Sequence, residues 1–69
     1  MPPLKVKRKM QYIRERLGFK QSEIAALLGV AECSVSRWET GLSMPPYRRL
    51  HQLSTLYEVP IEELMSTEL

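Results

Sequence analysis

Between Gln21 and Leu28 the residues Gln21, Ile24, Ala25 and Leu28 gather on one side at about 100° per residue, so this stretch predicts a short amphipathic helix. Gly29 ends it, because glycine reaches positive φ without steric cost and suits a sharp reversal. A second helix is predicted over Glu32 to Thr40. Its apolar positions Val35 and Trp38 lie together, and its outward face carries Cys33, Ser36, Arg37 and Thr40, flanked by Glu32 and Ser34. Upstream, Val6, Met10, Ile13 and Leu17 recur at helical spacing and predict a helix buried along one stripe. Pro2 and Pro3 hold that helix off until about Leu4 or Lys5, and Gly18 ends it. Phe19, a large aromatic in a short connection, is expected to fold back onto the core. Downstream, GLSMPP from Gly41 to Pro46 reads as a loop. A fourth helix starts near Tyr47, with Tyr47, Leu50, Leu53, Ser54 and Tyr57 as its inner stripe and Leu56 off it. Pro60 suits the first turn of a last helix reaching Met65, with Ile61, Leu64 and Met65 as its apolar residues.

The fold class is therefore all-α: a single compact five-helix domain over residues 1–69, with residues 1–4 expected to form a disordered arm. No strand pattern, repeat or low-complexity segment is visible. Sixty-nine residues bury only about 60% of the unfolded surface, so the core must be small. At 43% apolar and 26% charged residues the chain falls among ordinary globular domains. No apolar run is long enough to cross a bilayer, and MPPLKVKRKM lacks the apolar centre of a signal peptide, so a cytoplasmic protein is expected. One cysteine permits no internal disulfide and no cysteine-spaced metal site. The residues before helices two, three and five, Lys20, Ala31 and Val59, lack the oxygen-bearing side chain that normally accepts a backbone N–H bond there.

Net charge is only +2, but it is unevenly distributed. Residues 1–20 carry seven basic residues against Glu15, 7 − 1 = +6, and residues 21–69 carry three against seven glutamates, 3 − 7 = −4. A basic end of this kind can neutralise phosphates; equally, it is what a solvated helix face would carry. The outward face of the Glu32–Thr40 helix is more telling. It is polar, mostly small and holds one long cation, a mixture that folding does not demand but that a helix entering the DNA major groove needs. Helix, short turn, helix over residues 21–41 is the reading.

In that stretch Gln21, Glu23, Ile24, Ala25, Leu28, Gly29, Val30, Val35, Ser36, Trp38, Glu39, Gly41 and Pro45 resemble the Cro/cI-type (XRE) helix-turn-helix family of DNA-binding regulators. The resemblance covers about half the chain and implies a phage-repressor-like fold that binds double-stranded DNA, commonly as a symmetric dimer on a palindromic operator. Arg37 can pair bidentately with guanine O6 and N7, or be an ordinary exposed arginine against a phosphate. Glu32 and Cys33 match positions where related repressors carry base-reading side chains; Glu32 can accept from cytosine N4, or merely favour the helix N-terminus. Ser36 completes the base-reading set. Ser34 and Thr40 are placed against phosphates, as are Lys5, Lys7 and Lys9. Gln21 resembles the family's glutamine that faces a phosphate at the start of the first motif helix.

Arg14 and Glu39 both flank apolar stripes, where a half-buried charge needs a partner, and the family's matching positions hold an arginine–glutamate pair beneath the recognition helix. Leu27, Leu42, Met44, Leu56 and Ile61 are apolar where solvent is expected. Leu56, Ile61 and Met65 are assigned to the contact of a weak or DNA-stabilised homodimer, which Met44 could join. Cys33 on the recognition face invites a redox switch, but it reads as an incidental small residue, and His51 by the same logic reads as surface. No cofactor motif, metal site, small-molecule ligand or acid–base pair is assembled, so no enzyme is expected. The reading is a sequence-specific transcriptional regulator, a repressor by promoter occupancy. The alternative is an antitoxin or adaptor that uses the same fold to hold a partner protein.

Overall fold

The computed structural model describes residues 8–66. Five helices follow one another: α1 (Lys9–Arg16), α2 (Gln21–Leu28), α3 (Glu32–Thr40), α4 (Tyr47–Tyr57) and α5 (Ile61–Met65). Among the described residues there is no strand, as the all-α reading requires. α2 and α3 have the bounds that periodicity predicts, because both are closed by glycines in the left-handed region. Gly29 has φ 74° and Gly41 φ 83°. Behind each, the chain doubles back so that Val30 N donates to the Ala25 carbonyl and Leu42 N to the Arg37 carbonyl, each at 3.0 Å.

α2 packs on α3, α1 on both α3 and α5, and α4 on α5. The core lies where these faces meet. Met10, Ile24, Val35, Leu53 and Leu64 are almost wholly enclosed, with Trp38 beside them. Each such aliphatic side chain stabilises the fold by about 1.5–3 kcal/mol over leaving it exposed. Phe19 is half-buried and packs against this cluster, as expected of it.

The ends of the predicted stripes differ from the structure. α1 starts at Lys9, not near Leu4 or Lys5, because Arg8 is extended (φ −84°, ψ 152°) and its N–H donates to the Glu39 carbonyl at 2.9 Å. Val6 and the arm at residues 1–4 lie outside the described residues. Leu17 follows the last turn of α1 and is 51% exposed, and Tyr47 opens α4 and is 70% exposed. Both share a stripe with buried residues, but the stripe there runs past the neighbouring helices. Leu56 and Ile61, expected in solvent, are half-buried against the core.

Pro60 is extended and sits just ahead of α5, so it, rather than Val59, is the residue before that helix. Side-chain N-cap bonds are missing at Lys20 and Ala31 as predicted, and also at Arg8, Pro46 and Pro60. Only Glu23 answers in part, its Oε1 accepting from Lys20 N at 2.7 Å.

Candidate nucleic-acid interface

The outer face of α3 follows directly from its sequence. Val35 and Trp38 turn inward, which leaves Glu32, Cys33 and Arg37 exposed and Ser34, Ser36 and Thr40 half-buried. The Arg37 guanidinium makes no hydrogen bond or ion pair with another described residue, so its fork of donors is available to a ligand. Glu32 lies in the first turn, where the helix dipole favours a carboxylate. Thr40 Oγ1 donates to the Ser36 carbonyl at 3.0 Å, so in this conformation its hydroxyl can only accept from a further partner. Cys33 is a free, exposed thiol.

Beneath this face lies a charged network. Glu39 is 1% exposed and Arg14 7%, so both are buried outright rather than half-buried. Arg14 Nε donates to Glu39 Oε2 at 2.6 Å and Nη2 to Oε1 at 3.1 Å, a two-pronged pairing across α1 and α3. Arg14 Nη1 reaches the Phe19 carbonyl at 2.8 Å, fixing the connection into α2. The hydrogen bond to Glu39 raises the Arg14 pKa above its ordinary value, against the lowering effect of burial. Tyr57 lies near enough to feel the pair: burial first, then the Glu39 carboxylate, push its phenol up, with Arg14 opposing.

Gln21 joins the network. Its Nε2 donates to Glu39 Oε1 at 2.9 Å, which fixes the amide at the first residue of α2. The second N–H of that amide remains for an external acceptor. The network thus ties the residue assigned to a phosphate to the inner side of the helix assigned to the bases.

The remaining assigned residues lie elsewhere. Lys9 pairs with Glu63 of α5, so its ammonium already has a partner. Lys5 and Lys7 fall outside the described residues. Leu56 of α4 and Ile61 and Met65 of α5 are each half-buried against the core. Leu27 (59% exposed), Leu42 (78%) and Met44 (63%) do stand in solvent. Leu27 and Leu56 line an open groove of about 370 Å³ between α2 and α4, with His51 and Thr55 on its wall.

Two arginines have roles the sequence did not disclose. Arg8 Nη1 donates to the carbonyls of Trp38 (2.8 Å) and Ser43 (3.2 Å), and Nη2 contacts Met44 Sδ at 3.6 Å. Arg49 Nη1 donates to the Leu28 carbonyl at 2.9 Å, at the last residue of α2. Both satisfy carbonyls that a helix end leaves without a partner. Among the described residues no cluster of His, Cys, Asp or Glu could hold a metal ion, and no helix is long and apolar enough to cross a membrane.

A motif helix seated on a buried arginine–glutamate pair, with an unpartnered polar outer face, is an architecture of DNA-binding domains. Comparison with known proteins agrees. The helix-turn-helix family model matches residues 10–64, and the chain belongs to that family, the XRE-type DNA-binding regulators. The HTH-type transcriptional activator BcrR of Enterococcus faecalis is 33% identical to it over 60 residues, covering 87% of this chain and 29% of that protein. The chain therefore spans under a third of that relative's length.

Proposed function

We propose that this domain reads a specific duplex through α3, with Arg37, Glu32, Cys33 and Ser36 against base edges. Gln21 and Ser34 lie against flanking phosphates, Thr40 joins them once its hydroxyl turns away from the Ser36 carbonyl, and Lys5 and Lys7 are further backbone contacts. The observation that carries this reading is the unpartnered Arg37 guanidinium on a polar face that packing does not require, held on a buried network. Family membership supplies the duplex; the face supplies the means of reading it. Lys9 contributes less to phosphates than its neighbours, since Glu63 already holds it.

The domain acts as a homodimer, with Leu56, Ile61 and Met65 at the contact. Each is already half-buried by its own core, which fits a weak or DNA-stabilised pair on a palindromic operator. The recognition helices would lie about 34–36 Å apart, one helical turn of duplex. Occupying a promoter in the cytoplasm, such a dimer represses by exclusion. The activator BcrR has most of its length outside the matched segment.

The test is selection from random duplex DNA, followed by binding of Arg37→Ala to the selected site. Loss of preference at a single base position, by about 1–3 kcal/mol, supports base reading. A uniform loss at every position makes Arg37 a phosphate contact and passes the reading to Glu32, Cys33 and Ser36. The groove beside Leu27 and Leu56 favours a second reading, a partner protein held on the α2–α4 face. Binding that selects no duplex and hardly varies with salt would favour it.

A further inference from the structure

Arg8 stands just ahead of α1, yet nearly everything it touches belongs to α3 and the loop after it. Its own N–H takes the Glu39 carbonyl at 2.9 Å, and Nη1 takes the Trp38 carbonyl at 2.8 Å. Both belong to the last turn of α3, where carbonyls lack helical partners and a cation is favoured by the dipole. The same Nη1 reaches the Ser43 carbonyl at 3.2 Å, and Nη2 approaches Met44 Sδ at 3.6 Å. Ser43 and Met44 lie on the far side of Gly41, the left-handed residue at which the chain leaves α3. One planar guanidinium therefore straps the helix end to the loop across the joint where they could hinge. Lysine, a single point charge on a flexible stem, could not span these acceptors.

We propose that Arg8 is a positioning residue for sequence recognition: it fixes the last turn of α3, and through it the direction of Arg37, without itself touching DNA. The inference rests on the reading that α3 faces the bases. Its physical basis is that Arg37 lies one residue before Trp38, so any tilt or fraying of that last turn swings the Arg37 guanidinium. Three of the five N–H donors of Arg8 are spent on neutral protein acceptors. A phosphate could meet only Nε–H and the second Nη2–H without breaking this strap, and the salt slope below distinguishes that contact.

The experiment compares the wild type with Arg8→Ala and Arg8→Lys, each held well below its own melting temperature. Affinity is measured for the selected duplex and for a scrambled one at several salt concentrations. The expected result for Arg8→Ala is a loss of about tenfold in preference for the selected site, the scale of one compromised base contact. Affinity for the scrambled duplex and its salt slope should stay as in the wild type, and Arg8→Lys should regain only part of the preference. A salt slope shallower by about 0.9, with both duplexes weakened alike, would make Arg8 a phosphate contact and overturn the proposal. A lower melting temperature with preference intact would make it a structural strut only, and also overturn it. If the wild type selects no duplex, the DNA reading fails. Arg8 is then judged on amide exchange at Leu42 and Ser43, which must accelerate about tenfold or more in the folded variants if the strap exists. Unchanged exchange sinks the strap itself.

Discussion

Replacing Arg14 with alanine isolates the largest single electrostatic element of the fold. Glu39 is 1% exposed and accepts two bonds from Arg14 and one from Gln21. With Arg14 gone, the carboxylate keeps only the neutral amide of Gln21, in surroundings that water does not reach. Breaking a buried pair in this way costs about 3–5 kcal/mol, because the remaining charge is left uncompensated. The Phe19 carbonyl loses its donor as well. A chain of 69 residues has roughly 3–10 kcal/mol of total stability at 0.05–0.15 per residue, so the loss takes a third of the margin or all of it. At about 4–8 °C per kcal/mol the melting temperature should fall by at least ~12 °C. Arg16→Ala is the control: that side chain is exposed, with Tyr12 as its partner at 2.8 Å, and should cost about 0.5 kcal/mol or less. Urea unfolding followed by far-ultraviolet circular dichroism reads both variants. Joint replacement, Arg14→Met with Glu39→Leu, should recover most of the loss, since apolar side chains of similar volume can replace a buried pair. Equal urea midpoints for Arg14→Ala and Arg16→Ala would refute the reasoning, and a double replacement no better than Arg14→Ala would assign the loss to packing.

Tyr57 supplies a pH dependence. Its phenol is raised above the ordinary 10.0, first by burial and then by the Glu39 carboxylate. In the fold it stays neutral at a pH where the unfolded chain ionises, so its contribution is whole below about pH 10 and is lost as pH rises beyond it. The urea midpoint should therefore fall above that pH, and Tyr57→Phe should flatten the fall; an unchanged slope would exclude Tyr57 as its source. Glu58 occupies the left-handed region at φ 60°, a cost of about 1–2 kcal/mol that Glu58→Gly should largely relieve, raising the melting temperature. A lower melting temperature would mean that the glutamate side chain contributes more than its backbone costs. Arg49→Ala should cost about 1 kcal/mol by leaving the Leu28 carbonyl without its donor, with faster amide exchange confined to the end of α2. Exchange that rises evenly across all helices would instead indicate a general loss of stability.

What the sequence made legible follows from how each feature is written there. α2 and α3 could be bounded because their inner stripes and their terminal glycines are local signals, complete within a few residues. The Arg14–Glu39 pair could be anticipated because both members are charged and flank an apolar stripe, and because the resemblance to the helix-turn-helix family implies an arginine–glutamate pair at those positions. Its depth could not, since burial depends on how closely α1 and α3 approach. Leu17 and Tyr47 misled for a related reason. A helical wheel assigns them to the inner face, but a face is buried only as far along the axis as a neighbouring helix accompanies it. Leu56 and Ile61 are the converse, covered at the α4–α5 end by packing that periodicity along one helix cannot show.

Arg8 and Arg49 were illegible for a deeper reason. A salt bridge leaves two marks in a sequence, one of each sign, and a reader can pair them. An arginine that serves a carbonyl leaves one, because every residue has a carbonyl and none advertises that it lacks a partner. Yet in this domain that kind of contact serves the carbonyls at C-terminal helix ends, while the N–H groups at the helix starts go without side-chain caps. Side-chain N-cap bonds are missing at all five helix starts, while Arg8 and Arg49 satisfy the C-terminal ends of α3 and α2, and Arg14 the connection between α1 and α2. Each of these donors comes from outside the helix or loop it serves. Helices as short as α2 and α3 are marginal in isolation, so their local glycine caps need the support of the tertiary fold. α3 is thereby fixed from below by Glu39 and at its C-terminal end by Arg8, while among the described residues the side chains of Glu32, Cys33 and Arg37 on its outer face make no hydrogen bond or ion pair. Those are side chains that a groove-reading helix must keep free.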